Sequence, residues 1–134
     1  MALWLMKTEP SEFSYGDLEG KKRAVWDGVT NNTALMHIRA MRKGDRALIY
    51  HSGGEKSVVG IAEIVSDPYP DPKAGNPKIV VVDLAPSLRL SRGIPLAVIK
   101  KEKDFAGFQL VTFSRLSVMP VPAPLWKKLL ALAN

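Results

Sequence analysis

The run Arg46-Ala47-Leu48-Ile49-Tyr50-His51, with Ser57 to Val65 beyond a short polar break, decides the fold. Side chains alternate along a strand, so Ala47, Ile49 and His51 share one face and Leu48 and Tyr50 the other. Apolar residues on both faces predict a central strand. Ser52-Gly53-Gly54-Glu55-Lys56 has the composition of a hairpin connection, and Ser57–Val65 is its returning strand. Gly60, at the middle of that strand, predicts a bulge or a close backbone approach.

Outward from this hairpin, Gly44-Asp45 turns the chain into the first run. Residues 2–7 predict a buried strand. The apolar start, Met1-Ala2-Leu3-Trp4-Leu5-Met6-Lys7, is too short for a signal-peptide core and lacks its preceding charges. Ser11-Glu12-Phe13-Ser14 predicts a helix start, with Ser11 as cap and Glu9-Pro10 setting the approach. Asn31 or Asn32 caps a second helix carrying Leu35, Ile38 and Met41 at helical spacing. Ser66 to Pro77, with Pro68, Pro70, Pro72 and Pro77, predicts a long exposed loop. Lys78–Leu84, dense in β-branched residues, is a strand. Pro95–Lys103 fits a short helix, since proline is tolerated in a first turn. Arg115–Val121 is a last strand. Pro124–Ala133 is a helix whose apolar stripe is Leu125, Trp126, Leu129, Leu130 and Ala133. Short strands interleaved with short helices predict an α+β fold, its mixed or antiparallel sheet curled toward a barrel. Strands are not regularly separated by long helices, which argues against a doubly wound parallel sheet.

A chain of 134 residues suits one domain, 1–134, and 46% hydrophobic residues argue against disorder. Cysteine is absent, which excludes a disulfide framework, a thiolate nucleophile and a Cys-based zinc site. No run is long enough to span a bilayer. We expect a cytoplasmic protein without a membrane partner, or a nuclear one if the source has a nucleus. Lys and Arg outnumber Asp and Glu by 19 to 13, a net charge of +6, which attracts polyanions. The charge is spread in short runs, of which Lys127-Lys128 reads as a solvated face.

The two histidines, His37 and His51, cannot build a metallohydrolase centre. His37 reads as a surface or packing residue of the second helix. His51 and Ser52 are neighbours on a strand and point to opposite faces, so they are poorly placed for proton transfer. Gly54-Glu55-Lys56-Ser57 lacks the Gly-Lys of a phosphate loop. We therefore expect no catalytic residue, no metal and no cofactor. Of the three tryptophans, Trp4 and Trp126 read as core. Trp26, followed by Asp27-Gly28-Val29 and the polar Thr30-Asn31-Asn32, is either a wall of a ligand slot or a packed hydrophobic edge.

Several stretches, in order, resemble the EVE domain family. They are Trp4-Leu5-Met6-Lys7-Thr8-Glu9-Pro10 with Phe13 and Ser14, then Trp26-Asp27-Gly28-Val29 and Asn31. Gly44-Asp45, Tyr50-His51-Ser52 and Val59-Gly60-Ile61-Ala62-Glu63 follow. Tyr69-Pro70-Asp71-Pro72 and Arg115-Leu116-Ser117-Val118 with Pro120 complete the set, which spans almost the whole chain. The resemblance implies a PUA-like fold, a compact mixed β-barrel flanked by short helices. It also implies a pocket for a modified, for example methylated, base of DNA or RNA. Lys7, Thr8 and Glu9 would come from the first segment. Trp26, Gly28, Val29 and Asn31 would come from the second, with Asn32 at its end. His51 and Ser52 would come from the central strand, and Arg115 and Ser117 from the last. Relatives commonly carry tyrosine where this chain has Asn32 and an arginine-like residue where it has Thr30, so one wall of the slot differs.

Three functions compete on this basis. A reader, acting as a monomer, would take in a base extruded at a cost of roughly a few kcal/mol. Stacking on Trp26 would return about 1–3 kcal/mol. Asn31, Ser52 and Glu9 would meet the polar edge, and Lys7 and Arg115 the phosphates. A methyl group near Val29 would add roughly 0.8 kcal/mol. The alternative is an enzyme acting on a nucleotide or small metabolite in the same pocket, with Lys7, Glu9 and His51 as acid–base groups. The third is a protein-interaction or small-ligand module whose basic surface is incidental.

Overall fold

The computed structural model describes residues 1–133. The chain runs through β1 (Leu3–Thr8), α1 (Tyr15–Lys21), β2 (Ala24–Trp26), α2 (Asn32–Ala40), β3 (Arg46–His51) and β4 (Ser57–Ile64). It continues with β5 (Tyr69–Pro70), β6 (Val80–Pro95), α3 (Leu96–Lys101), α4 (Gln109–Thr112), β7 (Val118–Pro120) and α5 (Ala123–Leu132). A 3-10 turn, Lys103–Phe105, lies between α3 and α4.

The sheet order is β2-β6-β4-β3-β1-β7, with β5 added on β6. β1 lies parallel to β3 and antiparallel to β7, so it is paired on both sides. The neighbouring β3 and β4 form the hairpin expected from the sequence, antiparallel and buried along most of their length. Register shifts between Ile49 and Tyr50, between Val58 and Gly60, and between Ile61 and Ala62 bend these strands. The result is a mixed sheet curled into a half-barrel, flanked by short helices. Gly60 meets both halves of its expectation. A Cβ there would stand 2.4 Å from Tyr15 Cε1. The buried Tyr15 ring is held in place because its hydroxyl donates to the Ile61 carbonyl at 2.7 Å.

Trp4 and Trp126 are buried, as read from their spacing. In α5, Trp126, Leu129 and Ala133 are buried, and Leu125 and Leu130 pack against the same core half-covered.

Several boundaries differ from expectation, each for a local reason. Ser11 does not cap a helix, because its amide and hydroxyl donate to Glu9 instead. Ser14 is the cap of α1. It accepts from the Asp17 amide while Asp17 accepts from the Ser14 amide, a reciprocal capping box. β2 is three residues long and has no sequence signal of its own; it exists through its pairing with β6. The proline loop contains the two-residue β5, paired to Val80 and Val81. The strand expected to end at Leu84 continues to Pro95 despite Pro86 and Gly93, because residues 84–95 ladder onto β4. Pairing supplied by a neighbour overrides poor strand composition. Conversely, the last strand covers only Val118–Pro120 of the expected Arg115–Val121. α3 stops at Lys101, with Pro95 as its cap, and α4 carries no sequence signal we identified.

Asp45 is buried and ties three elements together. Its carboxylate accepts from the Ala2 amide at 3.0 Å, the Trp4 indole at 3.0 Å and the Arg42 amide at 2.9 Å. Burial by itself would raise its pKa, but these hydrogen bonds, with the nearby N-terminal charge, outweigh it and hold the carboxyl below its ordinary value. Asp45→Ala strands these donors, one in β1 and one just before it, and is expected to cost about 3 kcal/mol in urea denaturation at neutral pH. A group with a depressed folded pKa contributes stability above its unfolded pKa and loses it as pH falls through the folded one. The gap between wild type and Asp45→Ala should therefore narrow below the ordinary aspartate pKa of 3.8. A gap unchanged in acid would mean that the carboxylate charge is not what these donors need.

Candidate nucleic-acid interface

The site begins where β1 ends. After Thr8 the chain folds back, and the Glu12 and Phe13 amides donate to the Glu9 carbonyl at 3.0 and 2.9 Å. Thr8 Oγ1 donates to the Phe13 carbonyl at 2.7 Å. This turn delivers Phe13 edge-on to Trp26, with ring centroids 6.0 Å apart and planes at 86°. Trp26 is the last residue of β2, and Gly28, at φ 80°, turns the chain toward α2. Asn31 caps α2, accepting from the Ala34 amide at 3.0 Å through Oδ1.

Between these pieces lies a cavity of about 800 Å³. One wall is Lys7, Thr8, Glu9 and Phe13. The facing wall is Val25, Trp26, Gly28, Val29 and Asn31, and Ser117 closes a third side. Lys21, Arg23 and Lys73 stand at the rim, with Glu12 and Asp27 among them. Trp26 is 6% exposed, so the free protein shows only a narrow strip of indole to the cavity. This tryptophan is a packed edge that also borders the cavity.

Several of the charged groups are held rather than loose. Lys7 Nζ donates to the Ser114 carbonyl at 3.0 Å and lies 5.6 Å from the centre of the Tyr50 ring. Partial burial lowers its pKa from the usual lysine value. Hydrogen bonds from Ser11 hold the Glu9 carboxyl below its ordinary range. Arg23 is clamped by Asp83 through Nε at 3.0 Å and Nη2 at 2.8 Å. Asp83 also accepts from the Tyr69 hydroxyl, and that hydrogen bond, with burial and the carboxylate charge, pushes the phenol up to about 12.

Of the residues expected in one pocket, Lys7, Thr8 and Glu9 line this cavity, as do Trp26, Gly28, Val29, Asn31 and Ser117. Four do not. His51 is buried, its Nε2 accepting the Tyr15 amide at 2.9 Å and its Nδ1 facing Glu55 at 2.8 Å. Because Nε2 accepts from the Tyr15 amide, Nδ1 is the nitrogen left to donate a hydrogen bond to Glu55. Ser52 spends its amide and hydroxyl on the Thr8 carbonyl, at 2.9 and 3.2 Å. Asn32 is exposed at the first position of α2 and does not line this cavity. Arg115 opens onto a second cavity, of about 610 Å³, which shares Asn31 with the first. Phe13, Arg23 and Lys73 were not anticipated. Phe13 stood inside the matched N-terminal stretch, which was the available signal. Nothing in the sequence linked Arg23 or Lys73 to Trp26.

Lys7, Glu9 and His51, the acid–base candidates, are thus each engaged in hydrogen bonds that build the site. Among the described residues no group of three or more His, Asp or Glu is placed to hold a metal. No helix among them is long and apolar enough to cross a membrane.

The EVE domain family profile matches residues 2–132. Human thymocyte nuclear protein 1 is 34% identical over 152 residues, spanning 88% of this chain and 68% of the relative. A protein of Rhodopseudomonas palustris solved by NMR superposes with a TM-score of 0.94 at 42% identity, over 99% of this chain and 93% of that one. The human THYN1 protein, crystallised in complex with 5-methylcytosine-containing DNA, superposes with a TM-score of 0.89 at 31% identity, over 100% and 98%.

If His51 builds the site without entering it, His51→Ala should act on stability. Leaving the Tyr15 amide buried and unpaired is expected to cost about 2 kcal/mol in urea denaturation. A variant as stable as wild type would contradict the structural role.

Proposed function

This chain belongs to the EVE domain family, and we propose that it reads a modified base of DNA, swung out of its strand into the cavity beside Trp26. The observation that carries this reading is the cavity itself. Its volume of about 800 Å³ lies within the usual range for small-ligand pockets, and an aromatic corner backs it. A base stacked inside a duplex cannot reach such a pocket, so the target is extruded or single-stranded.

The lining suits a heterocycle with an amino edge. Glu9 and Asp27 supply carboxylate acceptors of the kind that meet the cytosine amino group. Asn31 has Oδ1 engaged in capping, which leaves its side-chain amide hydrogens for a ring nitrogen or carbonyl. Ser117 and the Thr8 hydroxyl add polar groups on the third side and the β1 wall. Val29, nearly covered, offers the apolar surface that a base methyl group would fill. Lys21, Arg23 and Lys73 at the rim are placed for the sugar-phosphate chain. The solved THYN1 complex with 5-methylcytosine DNA supports methylated cytosine as the first base to try. We propose that residues 1–134 act as one domain and as a monomer. In a cell with a nucleus we place the protein there, and otherwise in the cytoplasm.

The test is fluorescence anisotropy with short single-stranded DNAs differing at one central base, and with the matching RNAs as competitors. The 5-methylcytosine strand should bind about fourfold more tightly than its cytosine counterpart, the value of one buried methyl group. Affinity should fall steeply with added salt. Trp26→Phe, which keeps the packed edge, should weaken binding several-fold while remaining folded by circular dichroism. Equal affinity for every base in the panel would overturn the reading.

A further inference from the structure

Arg115 opens onto the second cavity, which the base reading leaves unused. This cavity lies between α2 and α4 with the segment that follows it. It shares Asn31 with the first cavity, and Lys7 of the first cavity donates through Nζ to the carbonyl of Ser114, which lines the second. The two spaces are therefore neighbours, joined through Asn31 and that hydrogen bond.

The lining of the second cavity is unusual for a surface at rest. Phe113 is 58% exposed and Met36 is 54% exposed, two large apolar side chains left in water at one cavity. Arg115 stands beside them and makes no ion pair among the described residues. An exposed aromatic face next to a cation has the makeup of a stacking subsite for nucleic acid. A purely apolar partner would leave the Arg115 charge unused, whereas a nucleotide uses both.

We propose that this second cavity holds the nucleotide next to the extruded base in the same strand, its base stacked on Phe113 and its phosphate on Arg115. The proposal rests on the base-reading role of the first cavity and adds to it. The first cavity identifies one base. The second grips its neighbour whatever that base is, because every base has a stacking face. The DNA is then held at two points with Asn31 between them.

The experiment measures binding of the full chain to a short single-stranded DNA with one central 5-methylcytosine. A parallel set carries an abasic residue on one or the other side of that position. Phe113→Ala should weaken binding about tenfold for both the methylated and the unmethylated strand. An abasic residue on one particular flank should weaken the wild type by a similar factor and the Phe113→Ala protein no further. Phe113→Tyr, which keeps the aromatic face, should restore wild-type affinity. Arg115→Ala should reduce the salt slope by about one phosphate contact. The proposal fails if both alanine variants bind as tightly as wild type. It fails equally if the abasic flank weakens wild type and Phe113→Ala alike, as it would if the cavity served a protein partner. The preference for methylated over plain cytosine in the wild type reports the first cavity separately. Loss of that preference with the Phe113 coupling intact would sink the base reading and leave the second cavity standing.

Discussion

One buried hydrogen bond, from the Tyr15 amide to His51 Nε2, sets where everything near the site begins. It joins the end of the central strand β3 to the first residue of α1. Once that amide is placed, the Tyr15 ring comes to rest under Gly60, where its hydroxyl reaches the Ile61 carbonyl. Two residues upstream, Phe13 is set against Trp26. The same bond explains why a histidine ends a strand whose middle, Ala47 to Tyr50, is filled with buried apolar and aromatic side chains. An imidazole can accept a backbone amide on one nitrogen while its other nitrogen donates to Glu55, so neither is left unpaired in the interior.

The cavity is a product of curvature. In the sheet, β1 and β2 are separated by β6, β4 and β3, yet residues of both face the same space. A flat sheet would hold them apart by four strand spacings, roughly 4.8 Å each, before any side chain is counted. The register shifts in β3 and β4 and the long bent β6 bring the two ends round toward one another. The short turn from Thr8 to Phe13 then spans what remains. Pocket size is thus set in part by register shifts in strands that do not line it.

Charge is organised at two levels. The net +6 is a property of the whole surface and favours polyanions in general. Around the cavity, cations and carboxylates are interspersed and several are tied down, Arg23 by Asp83 and Glu9 by Ser11. Such pinned groups offer directional hydrogen bonds more than bulk attraction, which is what telling one base from another requires.

The amino-acid sequence alone determined the hairpin of β3 and β4, the burial of β1, the apolar stripe of α5 and the role of Gly60. Each rests on a short-range pattern, two-residue alternation, helical spacing or a glycine where no side chain fits, and such patterns survive in one dimension. The family resemblance added the fold and eight of the residues that line the cavity, most of them in the short stretches Lys7 to Glu9 and Trp26 to Asn31. Only the tertiary structure decided which way His51 and Ser52 are spent, that Arg115 belongs to a neighbouring cavity, and that Phe13, Arg23 and Lys73 join Trp26. Those outcomes depend on register and on the curl of the sheet. A one-residue change in pairing turns a strand side chain to the opposite face, and no local pattern records which alternative the assembled core selects.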